Sequence, residues 1–140
     1  MKLYQRAALL FIFFIPQLCF SMTVAEVLTP TRQQLLPKKQ QIMQFWNADL
    51  YGKCTSVGTK ITASQIKGVQ FSDDTIVTAA LLINASAIYN EELSRRNGNG
   101  AKETLKNMLQ SYTQVFTNIS QEKFNAHMQE CINAFSQVIK

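Results

Sequence analysis

Apolar residues recur three and four positions apart along much of this chain, and that spacing restricts it to a helical fold. The two clearest stretches run from about Ala101 to Asn118 and from Ser120, a good N-cap, to the C-terminus. Their stripe residues are Leu105, Met108, Leu109, Tyr112, Val115, Phe116 and Ile119, then Phe124, Met128, Cys131, Ile132, Phe135, Val138 and Ile139. This spacing puts apolar side chains on one helix face, whereas the alternation typical of strands occurs nowhere in the sequence.

Two further helices are predicted between Lys38 and Gly98. The first runs to about Cys54, because KKQQIMQFWNADLYGKC places apolar residues four positions apart. The second begins after an N-cap at Ser72 and ends near Gly98, which suits a left-handed cap. Its centre, IVTAALLINASAIY, is apolar on nearly every side, so we expect it to be the most buried helix. The amide of Asn84 would then need a hydrogen-bond partner.

Four such helices predict an all-α fold, a four-helix up-down bundle in which the first and last helices are antiparallel. Two segments are expected to be irregular. The segment from Thr23 to Pro37 carries two prolines and no clean period, which predicts an irregular lead-in. The segment from Thr55 to Phe71 contains Gly58, Gly68 and several hydroxyl residues, which predicts a long connection between the first two helices.

The N-terminus, MKLYQRAALLFIFFIPQLCFSM, has the pattern of an export signal. Lys2 and Arg6 precede an apolar run over residues 7–15, which is too short to span a bilayer. Cleavage is expected after Ser21, with Ala25 as the second choice. A lipid anchor at Cys19 and an uncleaved membrane anchor are the alternatives.

Removal of residues 1–21 would leave residues 22–140 as a single helical domain in the periplasm or outside the cell, without stable membrane insertion. The net charge of the whole chain is +5, and loss of Lys2 and Arg6 leaves 12 basic and 9 acidic residues. These charges are scattered in ones and twos, so the composition gives no reason to expect a nucleic-acid partner.

Cys54 and Cys131 would be the two cysteines of the cleaved chain, and both lie on apolar stripes. An even number of cysteines in an oxidising compartment predicts a disulfide. A zinc site is the first alternative, since His127 and Cys131 are one helical turn apart and Cys54 could add a third ligand, but a fourth ligand is missing. A cysteine nucleophile with His127 as its base would lack an orienting partner.

Haem held between Met43 and His127 is the remaining alternative. If Cys54 is level with Cys131, these two side chains lie on opposite sides of the crosslink, too far apart for one iron. We therefore expect no metal and no cofactor.

The sequence also lacks the residues of an enzyme. It has one histidine, few acidic residues and no glycine-rich phosphate loop, and the Glu91–Glu92 pair is interpreted as a solvated last helical turn. We expect a small exported protein-binding module whose partner is another exported protein, for example an immunity or inhibitor protein that neutralises a toxic envelope enzyme. The alternative is an envelope stress chaperone or structural component, which would self-associate on mild acidification.

The expected partner-binding residues lie in and beside the predicted irregular connection. They are Lys53, Lys60, Ile66, Lys67 and Val69. A few apolar anchors surrounded by lysines would suit an acidic cleft on a partner. The other interpretation is a plain connection that crosses the bundle.

Overall fold

The computed structural model describes residues 22–140 of the protein, so the predicted signal peptide, residues 1–21, lies outside the described residues. The described part is all-helical, as predicted. Its α-helices, with a 3-10 turn at Leu36–Lys38 after the first, are α1 (Val24–Leu35), α2 (Lys39–Phe45), α3 (Ala48–Ile66), α4 (Asp73–Asn97), α5 (Asn99–Thr117) and α6 (Gln121–Val138).

The helices form an up-down bundle. Helices α2 and α3 run in the same direction, α4 returns, α5 runs parallel to α3, and α6 returns again. The parallel course of α3 and α5 follows from two contacts: Gly52 lies against Met108, and the Lys60 amine donates to the Phe116 carbonyl at 3.3 Å. The predicted bundle is confirmed, with α1 added alongside α4.

The expected irregular lead-in is wrong, because most of that segment forms α1. Thr23 caps the helix by accepting a hydrogen bond from the Glu26 amide at 3.2 Å. Pro30 lies inside the helix on its exposed side, where the Glu26 carbonyl that loses its amide partner can be hydrated. The opposite face is buried at Val24, Val27, Thr31 and Leu35. Burial of that face outweighs the cost of the proline.

The expected long connection between the first two helices is also wrong, since α3 continues to Ile66. Gly58 marks a close helix contact and not a turn: a Cβ there would lie 2.5 Å from the Ile83 side chain and 3.0 Å from the Ala79 carbonyl. Val57 and Ile61 are buried on the same stretch.

The predicted first helix, from Lys38 to about Cys54, is divided at Trp46 and Asn47 into α2 and the start of α3. Asn47 is the N-cap of α3 and accepts a hydrogen bond from the Leu50 amide at 2.8 Å. Trp46 is buried, and its indole donates to the Ser86 hydroxyl at 3.2 Å. The break therefore turns a large aromatic side chain into the core and starts a new capped helix.

Helix α4 supplies much of the core, as its apolar composition predicts. Its buried apolar residues are Ile76, Val77, Ala79, Ala80, Leu81, Leu82, Ala85, Ile88 and Tyr89. The amide of Asn84 donates to the Leu28 carbonyl at 2.8 Å and to the Thr31 hydroxyl at 2.6 Å. This buried polar group is thus satisfied by α1, and it fixes the position of α1 on α4.

The predicted disulfide is confirmed. Cys54 on α3 and Cys131 on α6 are bonded, with a Cα–Cα distance of 5.7 Å, and both residues are fully buried. They are 77 positions apart in sequence. The crosslink therefore restricts the unfolded chain over a long loop and joins the two helices inside the core.

Loss of this crosslink should lower the free energy of unfolding by about 4 kcal/mol, because the unfolded chain regains the entropy of that loop. Replacing Cys54 and Cys131 together with alanine, and measuring urea unfolding against the oxidised protein, would check the value. Peptide mapping by mass spectrometry without reduction should find the two cysteines joined. Free thiols in protein from an oxidising compartment would contradict the assignment.

Gly52 allows α5 to approach the backbone of α3. A Cβ at this position would lie 2.8 Å from the carbonyl oxygen of Met108, and a backbone atom cannot move aside as a flexible side chain can. A Cβ at Gly100, near the start of α5, would meet nothing within 4 Å.

We therefore expect Gly52→Ala to lower the free energy of unfolding by about 1 to 3 kcal/mol, despite the better helix propensity of alanine. Gly100→Ala, the matched control, should leave the stability unchanged or slightly raised. Thermal unfolding followed by circular dichroism would measure both variants. Equal stability of the two would mean that α5 can move away from α3 at little cost.

Candidate functional site

The end of α3 carries three of the five predicted partner-binding residues. We call residues Ile66–Val69 the tip. Ile66 is 82% exposed and Val69 is 49% exposed, with Lys67 also exposed between them. Gly68 has φ +99°, a conformation that favours glycine and ends the helix here. The backbone closes with bonds from the Gly68 amide to the Gln65 carbonyl and from the Val69 amide to the Ser64 carbonyl, both at 3.0 Å.

The helix end beneath the tip is fastened to the start of α1. The Gln65 side chain donates to the Met22 carbonyl at 2.7 Å and accepts from the Val24 amide at 3.2 Å. Two exposed apolar side chains are therefore presented next to an anchored helix end. Among the large apolar residues of the described chain, Ile66 has the highest exposure. Neighbouring exposed apolar residues indicate an interaction surface more strongly than one isolated residue does.

The other two predicted residues lie away from the tip. Lys60 is two turns earlier on α3, where its amine is held by the Phe116 carbonyl. Lys53 is 13 positions before Ile66, which is about 20 Å along a helix, and its side chain is only 8% exposed. The structure therefore does not place the five residues on one surface: Ile66, Lys67 and Val69 lie together at the tip.

Lys53 instead belongs to a charged cluster between α3, α5 and α6. Its amine lies 3.2 Å from Asp49 and is bonded to Glu130, and the Tyr112 hydroxyl donates to Asp49. Burial would lower the pKa of Lys53, but the hydrogen bonds to Glu130 and Asp49 outweigh it and raise this pKa. Burial would likewise raise the pKa of Asp49, whereas the bonds from Tyr112 and Lys53 bring it below its usual value. The cluster holds both groups charged and connects three helices beside the disulfide.

His127 lies at the edge of this cluster. Its Nδ1 is 3.9 Å from Glu130, which is too long for a hydrogen bond, and its ring packs on Phe116 with a centroid distance of 5.3 Å. Cys54 and Cys131, the two cysteines within residues 22–140, are committed to the disulfide. Across residues 22–140, no three or more His, Cys, Asp and Glu side chains are grouped so that they could hold a metal ion.

A second charged cluster, at the end of α4, was not found from the sequence. The carboxylate of Glu92 is bonded to Arg95, accepts from Arg96 Nε at 3.0 Å, and lies 3.8 Å from the Lys39 amine. Its side chain is 6% exposed, so the interpretation of Glu91–Glu92 as a solvated turn is wrong for Glu92. The sequence did contain a signal for this cluster, because Glu92 lies three positions before Arg95 and four before Arg96, a spacing at which helix side chains can pair.

The hydrogen bond from Arg95 is the main reason why the pKa of Glu92 falls to about 2; burial opposes this shift and Arg96 adds to it. In the unfolded chain this carboxyl has its ordinary pKa, near 4.5. Its contribution to stability is therefore present above pH 4.5 and is lost as the pH falls towards 2.

We expect the free energy of unfolding to fall between pH 4.5 and pH 2, and Glu92→Gln to reduce this slope more than Glu91→Gln does. Glu91 is the matched control because it adjoins Glu92 but is 58% exposed and pairs with Arg32. Urea unfolding at a series of pH values would measure the slopes. An identical slope for the Glu92→Gln variant and the wild type would show that the cluster does not couple stability to pH.

Comparison with protein-family models, with curated proteins and with solved structures gives no match for this chain. In the part that the structure describes, residues 22–140, no helix is both long and apolar enough to cross a membrane.

Proposed function

We propose that the protein is an exported protein-binding module whose tip contacts another exported protein. The observation that carries this proposal is the exposure of Ile66 and Val69 together at the anchored end of α3. Full burial of an aliphatic side chain contributes about 1.5 to 3 kcal/mol, so both could act as anchors in a partner's cleft. Lys67, which lies between them, would be at the rim of the contact and would favour acidic residues around the partner's cleft.

The fold supports a binding role in two ways. The tip is fixed through α1 and α3, so little conformational entropy would be lost when it binds. The disulfide is compatible with an oxidising compartment, which agrees with the export signal predicted for residues 1–21. In such a compartment, a rigid projection that fills a cleft could neutralise a toxic envelope enzyme, which is the inhibitor or immunity role we propose.

Affinity capture from envelope extract with the whole exported chain, followed by identification of the bound protein, would supply the partner. Replacing Ile66 and Val69 together with serine should then weaken binding by about tenfold or more, since two buried anchors are lost. Val115 and Ile139, which are 52% and 46% exposed, offer a matched control pair on α5 and beyond the end of α6. Serine at both of these positions should change the dissociation constant by about twofold at most.

The assignment of the binding surface to the tip would be wrong if serine at Val115 and Ile139 abolished binding while serine at Ile66 and Val69 did not. Failure to capture any protein that binds saturably would count against the inhibitor role. Self-association of the wild type on mild acidification would favour the alternative role of an envelope chaperone.

A further inference from the structure

A groove of about 610 Å³ lies between α4 and α5. These helices are joined through a single residue, Gly98, whose φ of +73° turns the chain sharply. Tyr51, Leu105 and Leu109 line the groove with apolar surface, and Arg95, Lys102 and Lys106 contribute cationic side chains. We call this feature the α4–α5 groove. It lies at the opposite end of α4 from the tip, so it is a separate surface.

Within residues 22–140, two of the cationic side chains that line the α4–α5 groove have no ion-pair partner. Arg95 is paired with Glu92, and Glu91, the carboxylate that lines the groove, is paired with Arg32. Lys102 and Lys106 are exposed, and neither side chain forms an ion pair with any residue of the described chain. They are four positions apart on α5, so their amines emerge on the same side, about one turn from each other.

We infer that the α4–α5 groove binds an acidic amphipathic segment of a protein. Carboxylates one helical turn apart on that segment would face Lys102 and Lys106, while an apolar side chain would lie on Leu109 and Tyr51. The apolar surface is recessed between two helices. A projecting segment can enter such a groove, whereas a flat lipid surface would meet the lysines and leave the apolar floor uncovered. This inference does not depend on the role of the tip.

The test uses a short labelled peptide with glutamates one turn apart and leucines on the adjoining face, titrated with the protein and followed by fluorescence anisotropy. We expect saturable binding that weakens by about tenfold or more when Lys102 and Lys106 are both replaced with glutamate. Peptides with glutamine in place of glutamate, or serine in place of leucine, should also bind more weakly, because they remove one of the two kinds of contact.

The matched control compares the single variants Lys106→Glu and Lys123→Glu, which change the net charge by the same amount. Lys123 is an exposed lysine near the start of α6, at the other end of the bundle, so Lys123→Glu should change binding by about twofold at most, whereas Lys106→Glu should weaken it clearly. The double glutamine variant at Lys102 and Lys106 gives a second measurement if the glutamate variant unfolds, which circular dichroism would reveal. This glutamine variant should also weaken peptide binding.

Three results would overturn the inference. Absence of saturable peptide binding would show that the groove has no such affinity. Equal weakening by Lys123→Glu and Lys106→Glu would mean that the attraction is diffuse and not local to the groove. Binding to vesicles that contain phosphatidylglycerol, lost with the Lys102 and Lys106 variants while the peptide does not bind, would assign the lysines to a lipid surface instead.

Discussion

The backbone of α3 lies directly against its neighbours at two glycines, and the arrangement of the other long helices depends on these contacts. Gly52 admits the Met108 carbonyl of α5, and Gly58 admits Ile83 and the Ala79 carbonyl of α4. Cys54 lies between these glycines and binds α6 covalently. Since Gly52 and Cys54 are about 200° apart on a helix of 3.6 residues per turn, α5 and α6 pack on different sides of α3.

Because α3 packs against other helices on several sides, the sequence patterns predicted its neighbours α5 and α6 better than α3 itself. The stripes of α5 and α6 were clear because each helix buries one face and exposes the other. The stretch from Tyr51 to Gly58 is buried on nearly all sides and contains glycine, serine and threonine, residues that usually favour turns. Close packing between helices requires the same small residues. Local preference therefore predicted a loop from Thr55 onwards, where tertiary contacts favour a helix.

The disulfide, the buried charged residues and the candidate binding surfaces were predictable from the sequence to different extents. The disulfide followed from two cysteines on apolar stripes, because compartment and periodicity both pointed to it. Ile66 and Val69 were identified as exposed apolar residues, although the segment around them was expected to be irregular. Lys53 and Glu92 could not be placed, because burial of a charged residue depends on partners from other helices. The α4–α5 groove was not predicted, because the local pattern marked Gly98 as a helix end but did not give the angle between the two helices that it joins.

The disulfide also has a topological consequence. It closes a covalent ring from Cys54 to Cys131, and both the tip and the joint at Gly98 lie within that ring. If a protease cut one peptide bond at either place, the two fragments would stay linked through the sulfur atoms. A nicked molecule would keep its helices at high effective concentration and could reassemble around the same core. Separation of the fragments would need reduction of the disulfide as well as hydrolysis of the peptide bond. A single cut at either exposed turn would therefore not dissociate the protein.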